Sequence, residues 1–85
     1  GDALPSIPVS RDELAAGVPA FELFRRAGLA ASGGEARRLI KGGGARLNNQ
    51  PLAEETRPIS LADAGETGQI KLSAGKKRHA LVRIV

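Results

Sequence analysis

Apolar residues recur along this 85-residue chain with two different periods, and the change from one to the other divides it. Over Pro19–Ala27, Ala20, Phe21, Leu23, Phe24 and Ala27 gather on one side of a helical wheel, while Glu22, Arg25 and Arg26 take the other. The spacing predicts a helix there. Pro19 suits its first position, where a missing N–H costs nothing. Gly28 suits its end as a cap, from which Leu29 folds back onto the apolar stripe. Ala36, Leu39 and Ile40 repeat the helical spacing, with Arg37, Arg38 and Lys41 on the opposite face. Ahead of them Ser32-Gly33-Gly34-Glu35 has the form of a capping box. In it the Ser32 hydroxyl accepts from the Glu35 N–H and the Glu35 carboxylate accepts from the Ser32 N–H. Gly42-Gly43-Gly44 stops this second helix.

Beyond Gly44 the period shortens to two. Ala45–Asn48 reads as a short strand, and Asn49-Gln50 ahead of Pro51 as a turn. Ser60–Ala64 suits one helical turn. In Gln69–Ser73, Ile70 and Leu72 share a face; in Arg78–Val85, Ala80, Val82 and Ile84 do. Ala74-Gly75-Lys76-Lys77 joins these two segments as a tight hairpin connection. Residues 1–18, with Pro5, Pro8 and Gly17 between short apolar pieces, read as a linker or an added edge strand, and residues 19–85 as the domain. The expected fold is α+β: two short packed helices against a small, mostly antiparallel sheet. Phe21, Phe24, Leu39, Ile40, Leu72 and Val82 are its core candidates.

Composition narrows the function. The chain has no cysteine, which excludes disulfides and thiolate metal sites and suits a reducing compartment. No apolar run approaches the ~20 residues of a membrane span, and no signal-peptide pattern opens the sequence, so a cytoplasmic location and no membrane partner are expected. Phe21 and Phe24 are the only aromatics, which argues against base recognition by aromatic stacking. A nucleic-acid partner would be held through phosphates and backbone shape.

The net charge of +4 is unevenly placed. Residues 21–50 carry Arg25, Arg26, Arg37, Arg38, Lys41 and Arg46 against Glu22 and Glu35. Residues 69–85 carry Lys71, Lys76, Lys77, Arg78 and Arg83 and no acid. An acidic stretch separates the two blocks. If folding joins them, they make one concentrated anion-binding face. Arg37, Arg38 and Lys41 are spaced to meet successive phosphates, Arg as a bidentate fork and Lys as a mobile point charge. The blander alternative is a solvated helix face. Lys76, Lys77, Arg78 and His79 are candidates for a second phosphate clamp, against the alternative of a solvated turn. His79 is the only histidine. It has no metal-binding companions and no nucleophile to activate, so the chain reads as a binding module without a catalytic residue.

Ala27-Gly28-Leu29-Ala30-Ala31-Ser32, Glu35-Ala36-Arg37-Arg38-Leu39-Ile40-Lys41 and Gly43-Gly44-Ala45-Arg46-Leu47-Asn48, with Gly75-Lys76-Lys77-Arg78 near the end, resemble the S-four family of RNA-binding domains, also called the alpha-L motif. The resemblance spans about residues 19–85. Within it the wording is most similar to the C-terminal domains of bacterial tyrosyl-tRNA synthetases. That resemblance implies a module that docks structured RNA, namely tyrosine tRNA near its variable arm and anticodon stem. The implied contacts are Arg25, Arg26, Arg37, Arg38, Lys41, Arg46, Lys76, Lys77 and Arg78. It also implies a homodimeric parent ligase whose separate catalytic domain uses ATP and tyrosine, with no cofactor in this segment. Two positions depart from the family pattern: Gly33 stands where a lysine is common, and Gly42 where a polar residue is common. Two alternatives remain open at this point. One is an S-four-like domain of a ribosome-associated or rRNA-modifying protein; the other is a protein-interaction domain whose basic face meets an acidic partner.

Overall fold

The computed structural model describes residues 4–85; residues 1–3 of the expected N-terminal segment lie outside them. The elements run β1 (Ser6–Val9), α1 (Arg11–Ala16), β2 (Val18–Pro19), α2 (Ala20–Arg26), α3 (Gly33–Lys41), β3 (Ala45–Leu47), β4 (Gln50–Pro51), β5 (Pro58–Ile59), a 3-10 helix over Leu61–Thr67, β6 (Gln69–Ala74) and β7 (Arg78–Ile84). The class is α+β. A five-stranded sheet has the order β1-β7-β6-β3-β4 and is antiparallel except where β1 runs parallel to β7; β2 and β5 form a separate antiparallel pair.

Both helices expected from the 3.6-residue period are present, and their ends show why. The first N–H groups of α2 are met by backbone rather than by a side-chain cap: Ala20 N–H donates to the Arg57 carbonyl at 2.9 Å and Phe21 N–H to the Glu55 carbonyl at 3.0 Å. Pro19 therefore sits just outside the helix, as the residue pairing with Pro58 in β2–β5, and not at its first position. At the other end Gly28 N–H donates to Arg25 O and Leu29 N–H to Phe24 O, the paired bonds of a Schellman motif. They fold Leu29 back into the core beside Phe24, both being buried. In α3 the Ser32 Oγ accepts from the Glu35 N–H at 3.1 Å. Only this arm of the expected box forms; the Glu35 carboxylate makes no return bond among the described residues. The exit of α3 is a second Schellman motif, with Gly43 N–H on Ile40 O and Gly44 N–H on Leu39 O. Gly43 has φ +83°, a conformation that costs an L-residue with a Cβ about 1 kcal/mol or more.

One expectation about the backbone is corrected, and the N-terminal segment, whose β1 is an added edge strand, gains a further element. The turn after β3 centres on Asn48-Asn49, at φ 52° and 69°, one residue earlier than the Pro51 signal suggested. A two-residue hairpin loop needs positive φ at both positions, which asparagine tolerates best after glycine, and Gln50–Pro51 is then free to pair as β4. The N-terminal segment also holds a helix that the prolines and glycine concealed. Ser10 Oγ caps α1 by accepting from the Glu13 N–H, and Leu14 is fully buried. Pro8 lies in β1 at the sheet edge, where a missing donor leaves no ladder bond unmade.

One core joins these parts. Leu23 and Phe24 of α2, Ala36 and Ile40 of α3, and the inward strand positions Ala45, Leu47, Ile70, Leu72, Ala80 and Val82 are buried together. Phe21 and Leu39 pack at its margin and are only half-buried. Because strand side chains alternate, Arg46, Ser73 and His79 stand in one row across β3, β6 and β7 on the face turned away from that core.

Candidate nucleic-acid interface

The cations expected at an RNA surface divide into three groups, according to what their own chain already gives them. Arg25 and Arg26 are held by carboxylates. Arg25 grips Glu22 with two bonds of 2.7 and 2.9 Å, and Arg26 reaches both Glu22 at 3.0 Å and Glu13 of α1 at 3.1 Å. The Arg25 guanidinium, and after it Arg26, holds the Glu22 carboxyl down to about 2 from its ordinary value of 4.5. This cluster fastens α1 to α2, and its charge is offset locally.

Arg37, Arg38 and Lys41 project from the exposed side of α3, opposite Ala36 and Ile40. Arg37 stacks over Phe21, its guanidinium carbon 4.2 Å from the ring centroid, so the margin of the core orients it. Lys41 lies 3.4 Å from Glu55. The Glu55 carboxyl is held below its usual range first by its own backbone amide and then by Lys41 and Arg37. Arg38 is exposed, and no carboxylate pairs with it among the described residues.

The third group surrounds the β6–β7 turn. Gly75 N–H donates to the Gly44 carbonyl at 2.8 Å, pinning the turn to the loop that follows α3. The Arg78 guanidinium donates to the Gly28 carbonyl at 2.8 Å, tying the same turn to the loop before α3. Both basic blocks therefore meet at the two ends of α3. Arg46 and Lys76 line one shallow hollow, with Asn49, Ser73, Gly75 and His79. Lys77, Arg78 and His79 line the next, against Ala27–Leu29. No carboxylate lines either hollow among the described residues.

The cations do not lie on a single plane. The α3 cations stand on the helix layer, whereas the alternation of β3 turns Arg46 to the opposite face of the sheet. The expected single basic face is instead an edge with two sides, joined along Gly44 and Gly75. Lys71 and Arg83, which the expected contact set leaves out, share the outward sheet face with Arg46 and with His79 of the expected clamp. The signal was present in the same period-2 pattern that placed Ile70, Leu72, Ala80 and Val82 inward, since the intervening positions must point outward together.

The chain is 52% identical over all 85 of its residues to the tyrosine–tRNA ligase of Rhodospirillum rubrum. It is similar to a part of that ligase. The matched region is 20% of the Rhodospirillum protein. The ligase of Gluconobacter oxydans is 51% identical over 83 residues and that of Rickettsia rickettsii 48% over 81, in each case again 20% of the relative. The chain thus spans about a fifth of the length of the curated ligases it matches. No protein-family model matches it. No helix is long and apolar enough to cross a membrane among the described residues, and none of their acidic and histidine side chains group as a metal site.

Proposed function

We propose that this chain is the tRNA-binding C-terminal part of a tyrosine–tRNA ligase, and that it docks structured tyrosine tRNA through the basic edge around α3 and the β6–β7 turn. One observation carries the proposal. Arg38, Lys76 and Lys77 are exposed and have no carboxylate partner among the described residues, and the bond between Gly44 and Gly75 joins the exit of α3 to the turn that bears the two lysines. Ion pairs that merely hold a fold together use up their charges, as Arg25 and Arg26 do; unpaired cations on one edge leave theirs for a polyanion. The similarity to tyrosine–tRNA ligases supports tyrosine tRNA as that polyanion.

In this reading the chain performs no chemistry. The rest of the parent ligase, a cytoplasmic homodimer, activates tyrosine with ATP and transfers it. The present domain adds a second grip on the tRNA near its variable arm and anticodon stem. A second tethered contact raises the effective concentration of the acceptor end at the catalytic domain without taking part in the reaction. Phosphate contacts imply that affinity falls as salt rises, because each neutralised phosphate releases counterions.

The test is a titration of this chain with tyrosine tRNA transcripts with and without the variable arm, repeated at several salt concentrations. Salt-dependent binding that weakens when the arm is deleted is expected. Equal, weak binding of any RNA, or none at low salt, would remove the tRNA-docking role.

A further inference from the structure

The sheet face turned away from the helices has an unusual make-up for a solvent-facing surface. Its outward positions include Arg46 on β3, Gln69, Lys71 and Ser73 on β6, and His79, Leu81 and Arg83 on β7. These positions carry three cations and one imidazole, without a carboxylate. At one end of this face Arg46, Asn49, Ser73, Gly75, Lys76 and His79 enclose a hollow of about 210 Å³. The floor is Ser73, only 2% exposed although it lies on the outer face, because Arg46 and His79 flank it in the same row. The Ser73 hydroxyl sits 3.0 Å from His79 Nδ1 and is that ring's hydrogen-bond partner. A buried serine at the floor of a basic hollow, bonded to the sole histidine, is not used by the docking of α3 described above.

We infer that this hollow is a phosphodiester site, and that RNA bound at α3 continues across the edge onto the outer face of the sheet. The inference rests on the proposed tRNA-docking role and adds a second surface to it. A Ser73 hydroxyl that donates to Nδ1 of His79 leaves the ring proton on Nε2 and turns that nitrogen into a donor for a ligand. The hollow then offers a guanidinium fork, an ammonium and an imidazole N–H to one group with two anionic oxygens, which is the donor set a phosphodiester accepts. The bond from Gly75 to the Gly44 carbonyl holds Lys76 at the rim. Lys71 and Arg83, farther along the same face, provide contacts for following phosphates. Ser73 acts through His79 and is a positioning residue.

The groups that face His79 are Arg46 from β3, Ser73 from β6, and Lys76, Lys77 and Arg78 from the turn. All are cationic or neutral, so an added anion meets no local repulsion. This separates the site from the α2 surface, where Glu22 and Glu13 already occupy Arg25 and Arg26.

The experiment follows the His79 ring by NMR in this chain, with inorganic phosphate and with a tyrosine tRNA transcript as separate probes. In the free chain the ring nitrogens should report the Nε2–H tautomer, and Ser73→Ala should mix the tautomers while the fold, followed by the backbone spectrum, is retained. Arg46→Ala and His79→Leu should each lower tRNA affinity about tenfold, the scale of a lost charge-assisted hydrogen bond, while His79→Gln, which retains a side-chain N–H donor, should recover most of it. If Arg38→Ala weakens tRNA binding but Arg46→Ala and His79→Leu do not, the sheet-face site is wrong and the α3 docking stands. If phosphate moves the His79 signals and tRNA does not, the hollow holds free anions only and its RNA role is overturned. If tRNA is not bound at all, the docking proposal fails before the sheet is in question.

Discussion

Gly75 N–H lies 2.8 Å from the carbonyl oxygen of Gly44, and this backbone bond helps to set where the cations of the turn sit relative to α3. The two residues are 31 positions apart in the chain. Gly44 also donates to Leu39 O at the end of α3, so the helix exit and the hairpin turn share one small residue. A Cβ built on Gly44 would lie 2.8 Å from Leu39 Cδ1, closer than a real Cβ contact allows.

Substitution at this junction should therefore lower stability without touching a charge. Gly43→Ala forces a Cβ into φ +83° and should cost about 1 kcal/mol. Gly44→Ala must push Leu39 aside at the margin of the core and should destabilise the fold as well, with β6–β7 amide protons near Gly75 exchanging faster. Urea unfolding and hydrogen exchange measure both; unchanged midpoints for the two variants would contradict the junction's structural role.

Ser32 caps α3 through one hydrogen bond to the Glu35 N–H. Ser32→Ala should lower unfolding free energy by about 1 kcal/mol. Glu35→Gln should leave stability nearly unaltered, because the carboxylate makes no return bond to the cap. A loss for Glu35→Gln as large as that for Ser32→Ala, in the same thermal melts, would mean that the reciprocal bond forms in solution.

Arg38 is an exposed α3 cation without an acidic partner among the described residues, while Arg25 is committed to Glu22. Arg38→Ala should weaken tRNA binding and reduce the slope of log affinity against log salt by about 1. Arg25→Ala should change that slope little and stability more, since it breaks the grip on Glu22. Filter-binding or anisotropy titrations at several salt concentrations distinguish the two; equal slope changes would show that the intrachain pairing does not withhold Arg25 from RNA.

The Glu22 carboxyl titrates at about 2 instead of 4.5 because Arg25, then Arg26, favours its charged form. A lowered folded-state value means that the carboxylate contributes stability above pH 4.5 and that this contribution disappears as pH falls toward 2. Glu22→Gln should thus melt below the unaltered chain at neutral pH, with the difference narrowing across that acid window. Because the ion pairs stand at the surface and remain partly open to solvent, added salt should narrow it too. A difference that is constant from pH 6 to pH 2 would assign the effect to packing.

Much of the fold was legible because it depends on local rules. The helical stripes of Ala20–Arg26 and Gly33–Lys41, the glycines at both helix exits and the alternation of Gln69–Ala74 with Arg78–Ile84 all follow from spacing and backbone allowance. Helix α1 was hidden because its one buried anchor, Leu14, gains its partners only when residues far along the chain pack on it. The turn at Asn48-Asn49 was misplaced by one residue because Pro51 also punctuates loops, and only pairing with β6 through Asn48 selects between the registers.

The sequence by itself determined which side chains carry charge, that they cluster in two blocks, and that a helix and a hairpin would display them, since side-chain periodicity is a property of the local backbone. Tertiary structure alone decided which charges stay available. Glu22 and Glu13 occupy Arg25 and Arg26, and sheet pairing sets Arg46 in one row with Ser73 and His79, away from Arg38. Those outcomes depend on distances between residues remote in sequence, where a carboxylate a few ångströms away neutralises a guanidinium and one strand's parity assigns it to a face.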